Sequence, residues 1–474
     1  MDRLSRRAFL GSSAGVAAAA ALPSFAVRAG PARPDDLVRI AVAGVKGRGG
    51  NHISEWIKMK DVQVVGICDV DENVIGGAMK QITQAYGKPP RYEKDWRKLM
   101  EDKSIDAVSI ATCNHTHTLL SIWALQAGKH VYVEKPCSHN VWEGRKLVEA
   151  ARKYKKCVQH GTQSRSNAGY YSLAAFLKAG GLGKVSISRG LCYKRRGSIG
   201  FQHEEAVPKG VDYDLWLGPA PVRSFTRNRF HYNWHWHWDY GNGDIGNQGV
   251  HEMDIARWLL GVGLPRRVAS VGGRFGYEDD GETPNTQIAC YDYGNGQQII
   301  FEVRGLETPK YMGVSIGDIV HAEKGHTAGT KAFDKEGKEI PITTKASPPG
   351  PGGHFQNFIH AVRANDPSLL NAEILEGHLS SALCHLGNIS YRLGEKVPFD
   401  SKEPPFPDND AGNEAFERMK VHLRENGVDL AGLKYCRGPL LTFDPERETF
   451  PGNEAACKLL RRDYRPPFVV PENP

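Results

Sequence analysis

Apolar runs rich in β-branched residues recur through the first third of the chain, each followed by a turn and then by a helical period. Val38-Arg39-Ile40-Ala41-Val42-Ala43 is the first, and it passes through a glycine-rich turn into a helical segment near 52–59. Further runs cover 62–69, 107–112, 130–134 and 157–161, with helical periods over 118–127 and 141–154 between them. Continuous rather than alternating runs mark strands buried on both faces, and their alternation with helices predicts a parallel sheet with right-handed crossovers. After Gly161 the period changes. A helix over 170–178 precedes runs at 185–188, 267–277, 286–293, 298–304 and 312–321 that alternate or break at Gly, Asn and Asp, and helices follow over 354–362 and 373–393. This half predicts a largely antiparallel sheet, with Tyr293-Gly294-Asn295-Gly296 as a hairpin turn. The fold class is therefore α/β, divided into 1–34 (leader and linker), 35–161, 162–396, and an extension over 397–474 that wraps the body.

At 474 residues with 40% hydrophobic and 24% charged positions, the chain can bury a core of two-domain size. A net charge of +7 is modest over this length, and Lys and Arg are interspersed with acids, so nucleic-acid binding is not expected. Nine cysteines show no CxxC pair and read mostly as buried thiols. Ser5-Arg6-Arg7-Ala8-Phe9-Leu10 and the Ala-rich stretch to Ala26 match a twin-arginine export signal, with cleavage after Ala26 or Ala29. Engagement of the twin-arginine translocation machinery and a periplasmic location are the expectations.

Gly44-Val45-Lys46-Gly47-Arg48-Gly49 stands between the first strand and its helix, and Asp69 ends the second strand. Glycines let backbone approach a pyrophosphate, a helix N-terminus favours its charge, and a carboxylate accepts from ribose hydroxyls. The pattern predicts a Rossmann dinucleotide site, with Asp69 favouring NAD over NADP because it would repel a 2′-phosphate. Gly44 and Gly49 hold the outer motif positions; Lys46 stands where the middle glycine is expected, and Gly47 and Gly50 are placed to compensate. Val131-Tyr132-Val133-Glu134-Lys135-Pro136 reads as a buried strand delivering Lys135 to the carboxyl edge of the sheet.

Thr112-x-Asn114-His115-x-His117, with Glu134-Lys135-Pro136 after Gly128-Lys129-His130-Val131, closely resembles the Gfo/Idh/MocA family, over about 38–393. The resemblance implies a Rossmann domain and a second α/β domain with an open, largely antiparallel sheet whose exposed face builds homodimers or homotetramers. It also implies that Thr112, Asn114, His117 and Glu134 lie at the cofactor, and that Lys135 sits beside nicotinamide and substrate.

Phe230 to Tyr240 alternates aromatic rings with His and Asn, and leads into a glycine-rich turn and Val250-His251-Glu252-Met253-Asp254. Aromatic faces with hydrogen-bonding neighbours suit sugars, which makes Trp236, His237 and Asp244 candidate substrate contacts. A metal reading of His235-x-His237 lacks an accompanying ligand set. The later turn resembles the family's second signature, Asp, then His four residues on, then Asp. His251 and Asp254 match, but Asn247 replaces the first acid, and an amide can orient a partner yet cannot take a proton. The expected function is NAD-dependent oxidation or reduction of a sugar or polyol by Lys135, His251 and Asn247, with no metal. The alternatives are a redox-neutral NAD-dependent glycosidase and a non-catalytic sugar-binding protein.

Overall fold

The computed structural model describes residues 37–474; the segment read as an export signal lies outside the described residues. The N-terminal domain holds β1 (Val38–Ala43), α1 (Arg48–Trp56), β2 (Val62–Cys68), α2 (Gly76–Tyr86), β3 (Arg91–Glu93), α3 (Trp96–Met100), β4 (Ala107–Ile110), α4 (Asn114–Gln126), β5 (His130–Val133), α5 (Val141–Tyr154) and β6 (Val158–His160). Its strands lie in the order β3-β2-β1-β4-β5-β6, all parallel. The order reverses between β1 and β4, so their carboxyl ends open the crevice in which such sheets bind ligands.

The chain then runs through α6 (Ala168–Lys178), β7 (Val185–Tyr193), α7 (Tyr213–Leu217), α8 (Gly243–Gly246), α9 (Gly249–Leu260), β8 (Arg267–Gly273), β9 (Thr286–Asp292) and β10 (Gln298–Arg304). Strands β11 (Ile316–Ala322), β12 (Gly325–Ala328), β13 (Lys331–Asp334) and β14 (Glu339–Ile340) follow. The second sheet runs β14-β13-β12-β11-β7-β10-β9-β8 and is antiparallel except for the β7–β10 pair. Its β9–β10 connection is the hairpin expected at 293–296, with Gly294 and Gly296 at φ +74° and +81°. Helices α10 (His354–Ala364) and α11 (Ile374–Arg392) return toward the first domain: Phe358 and Ile359 join Trp56 and Tyr132 in one core.

Most of the last eighty residues are built into the second domain. Strands β15 (Glu395–Pro398), β16 (Lys434–Arg437) and β17 (Leu441–Thr442) extend the sheet beyond β8, so the expected boundary at 396 cuts a strand. Helix α12 (Asp410–Glu425) packs Phe416, Met419 and Leu423 against Val271, Ile288 and Ile300 of the sheet, on a core separate from that of α9 and α11. Arg418 of α12 reaches the fully buried Glu302, which Arg189 and Arg304 also approach. Over β8–β10 the sheet face is thus covered by the chain itself. After α13 (Glu454–Lys458) the tail crosses to the first domain, where Phe468 and Val470 pack with Leu119 and Leu125 of α4. All nine cysteines are free, and seven are buried. Among the described residues no helix is long and apolar enough to cross a membrane.

Candidate active site

The turn after β1 is shaped by two close approaches. Gly44 takes φ +73°, and a Cβ there would lie 2.6 Å from Ala111 O. A Cβ on Gly49 would lie 1.6 Å from Gly44 O, so the first turn of α1 rests directly on the loop. Gly47, at φ +64°, precedes α1 with open space around it, and the α1 N-terminus faces the crevice. Lys46 lies outside the left-handed region and is exposed, which is why a side chain is tolerated at the middle motif position. Such a bare-backbone cradle at a helix N-terminus fits a pyrophosphate.

Asp69, just beyond β2, accepts from Val45 N (2.9 Å) and Asp71 N (3.1 Å). Burial pushes its carboxyl up to about 6 despite these donors, and the neighbouring Asp71 adds to the rise. The Thr112 and Thr116 hydroxyls pair at 2.7 Å above β4. Asn114 begins α4 with its buried side-chain oxygen unpartnered, an acceptor directed at the crevice lining. The His117 ring nitrogens lie 2.7 Å from Pro136 O and 3.0 Å from Thr112 O, tying the β4–α4 turn to the peptide after Lys135.

At the tip of β5 the two charges of the motif do different work. The Glu134 carboxylate accepts from Arg48 Nε at 2.7 Å and contacts His52 Nε2 at 3.0 Å, fastening β5 to α1. Burial alone would raise its pKa, but His52, Arg48 and Lys135 together hold it well below the carboxylate range. Lys135 reaches across the crevice and donates from Nζ to the Asn247 backbone oxygen (2.7 Å), with the side-chain Oδ1 at 3.4 Å. Burial lowers the Lys135 ammonium below its ordinary value against the opposing pull of Glu134 and Glu252. Asn247 therefore holds the lysine mainly through backbone, which explains how an amide can stand in the acid's place without losing this grip. His251, in the first turn of α9, is brought down to about 3 by burial first and Lys135 second, so it faces the crevice as a neutral imidazole. Asp254, three residues on, is fully buried and paired to Arg165 (2.8 and 2.9 Å) and to Ser380 (2.6 Å), anchoring α9 rather than reaching the crevice.

These groups line one continuous cleft of about 560 Å³, within the roughly 300–1,000 Å³ usual for small-molecule sites. It contains every expected cofactor residue except the buried Gly49, and also Lys135, Asn247 and His251. The aromatic stretch enters by a different subset than alternation suggested. Residues His231–Trp236 form a 3₁₀ turn, in which positions three apart share a face. His231 and Trp234, with Tyr232 and His235, line the cleft, and Trp234 stacks on His235 at 3.6 Å. Trp236 and His237 are turned away: Trp236 lies under the Arg196 guanidinium, and His237 Nε2 sits 2.8 Å from Asn228 O. Asp244, expected as a substrate contact, is clasped by Arg196 at 2.7 and 2.9 Å, so its carboxylate is already committed. Sequence reading also passed over Gln163, Trp216 and Phe468, which share the lining but carry no local motif.

One further carboxyl stands behind the cleft. Glu252 accepts from Gln248 Nε2 at 3.1 Å, while its second oxygen is buried without a partner. Burial raises it to about 8, with Lys135 and Lys194 only partly opposing, and it in turn helps raise the buried Asp318. A folded-state value above the ordinary 4.5 means the folded protein holds this proton where the unfolded chain releases it. The contribution is complete below pH 4.5 and is lost as pH rises through about 8. Glu252→Gln, which keeps the acceptor for Gln248, is therefore expected to melt higher than the parent at pH 8 and to equal it at pH 4.5, by thermal unfolding at the two values.

Residues 38–162 match the model described as an oxidoreductase family, NAD-binding Rossmann fold, and residues 184–425 match that described as an oxidoreductase family, C-terminal alpha/beta domain. A glycosyl hydrolase family 109 protein of Stenotrophomonas maltophilia is 38% identical over 141 residues, 28% of this chain and 30% of that protein. An inositol 2-dehydrogenase of Salmonella agona is 26% identical over 186 residues, 38% of this chain and 54% of that one. The chain spans about a third of the length of the first of these relatives and about half of the second. Of solved structures, the WlbA dehydrogenase of Bordetella pertussis in complex with NADH and UDP-GlcNAcA superposes with a TM-score of 0.53 at 20% identity, covering 73% of this chain and 94% of that chain. Levoglucosan dehydrogenase in complex with NADH gives 0.53 at 16%, covering 73% and 95%. At these identities the likeness is one of fold. The first domain is an NAD-binding Rossmann domain, and the chain belongs to the Gfo/Idh/MocA oxidoreductase family.

Proposed function

We propose that the protein is an NAD-dependent oxidoreductase acting on a sugar or sugar-like polyol. The observation that carries this reading is the single cleft in which the glycine turn leads to Lys135, Asn247 and His251 beside the Trp234–His235 stack. NAD bound on the turn supplies the hydride acceptor. Lys135, fixed by Asn247 O, places an ammonium where a substrate alkoxide develops, and the His251 imidazole shares the cleft lining with it as the partner for the substrate hydroxyl and its proton. Trp234, Tyr232 and His235 offer a ring face and polar edges to the sugar.

A second reading, redox-neutral glycoside cleavage through transient oxidation, is favoured by the relative named as a glycosyl hydrolase family 109 protein. In both readings the chain works in the periplasm after twin-arginine export, a reading supported by Arg6-Arg7 and the apolar stretch behind them. A panel of monosaccharides and aryl glycosides added to the NAD-loaded protein tests the pair. Sugar-dependent growth of the reduced-nicotinamide absorbance supports the dehydrogenase; aglycone release without net absorbance change supports the glycosidase; neither signal, with sugar still bound, leaves a binding protein.

A further inference from the structure

The cleft does not end at Asp69. Beyond it the lining continues over Val70, Leu119, Leu120 and Trp123, and closes on Phe468, nearly four hundred residues later in the chain. A dinucleotide whose pyrophosphate sits on the Gly44–Gly49 turn, with its nicotinamide half toward Lys135 and its adenosine ribose at Asp69, has its purine left to extend into this far end. We propose that the C-terminal tail supplies the outer wall of the purine subsite and thereby holds NAD against release.

The tail is fastened on both sides of the wall residue. Arg462 donates to Asp239 O at 3.0 Å; Arg465 donates to Gly218 O at 3.1 Å and to the Asp214 side chain at 2.5 Å. On the far side Val470 is 2% exposed within the α4 core. Between these anchors Phe468 is 4% exposed, with the guanidiniums of Arg97 and Arg465 over its ring at 5.6 and 4.8 Å and Trp123 at 6.3 Å. An aromatic ring backed by a second ring and flanked by planar cations is a surface on which a purine stacks. Because the tail bridges from the second domain to α4, an NAD molecule seated behind it leaves only when the tail lifts. The inference rests on the NAD-binding fold and not on the sugar reading, so it stands or falls without any substrate.

The test is a chase. Protein loaded with isotopically labelled NAD is diluted into excess unlabelled NAD, and release is followed in the parent, in Phe468→Ala, and in Arg465→Gln, whose side chain anchors the tail from outside the cleft. Both variants are expected to release NAD at least ten-fold faster while binding nicotinamide mononucleotide, which lacks the purine, as the parent does. Parental release rates in folded Phe468→Ala would overturn the proposal, as would equal weakening of the mononucleotide. Should Phe468→Ala not fold, Arg465→Gln decides alone by the same two measurements. Hydrogen exchange gives an independent reading: residues 460–474 are expected to exchange more slowly in the NAD-loaded protein than in the stripped one, and unchanged exchange counts against the wall.

Discussion

Lys135→Met is expected to lower the rate of sugar-dependent NAD reduction by about 10³-fold, while NAD binding remains within a few-fold of the parent. Methionine keeps most of the stem that fills the gap between β5 and α8, and removes only the ammonium. The magnitude follows from what the group does: a positioned donor at a developing oxyanion, or a positioned proton-transfer group, contributes about 10²–10⁴. Lys135 has few rivals for that task. Glu134 is engaged by Arg48 and His52, Asp244 by Arg196, and Asp254 by Arg165. NAD binding should survive because its contacts come from the glycine turn, Asp69 and the far wall, none of which lean on the lysine. Single-turnover absorbance with saturating sugar separates the two effects, and a variant that reduces NAD at the parental rate removes Lys135 from the mechanism.

The parallel domain could be read from the chain because its strands are buried on both faces, so each announces itself as an unbroken apolar run. β3 escaped because it is an edge strand of Arg91-Tyr92-Glu93, and α3 because five residues carry no measurable period. The motif residues that line the cleft were legible, but their division of labour was not. That Glu134 fastens β5 to α1 depends on Arg48 and His52, which lie 86 and 82 residues away in the chain. The aromatic stretch was correctly placed at the cleft and wrongly phased, since an extended chain repeats every two residues and the observed 3₁₀ turn every three. Phe468 had no signal at all: one aromatic in a proline-rich tail acquires meaning only from the helix it lands on.

The glycine turn permits a graded test, and Gly49→Ala should be its most damaging step. The added methyl would begin 1.6 Å from Gly44 O and 2.7 Å from Gly44 C, both backbone atoms that no rotamer change can move. Gly44 has little freedom to yield in turn, because it occupies a left-handed conformation beside the Ala111 peptide, where even an added methyl would lie 2.6 Å from Ala111 O. The only relief is for α1 to withdraw from β1, which carries Arg48 off Glu134 and moves the helix N-terminus away from the pyrophosphate. Overpacking of this kind costs about 3 kcal/mol; because α1 must return to the turn for the pyrophosphate to be seated, that strain falls on binding, and NAD affinity should fall by up to about 100-fold. Two other glycines calibrate the result. Gly47→Ala meets open space but must hold φ +64° with ψ −113°, outside the left-handed helical well, so it should cost about 1–3 kcal/mol. Gly77→Ala, exposed in α2 with nothing within 4 Å, should be neutral or stabilising by up to about 1 kcal/mol. Urea unfolding and NAD titration of the three variants give the ranking, and a Gly49→Ala protein that binds NAD like Gly77→Ala would show that the close approach of α1 to the turn does not shape the site.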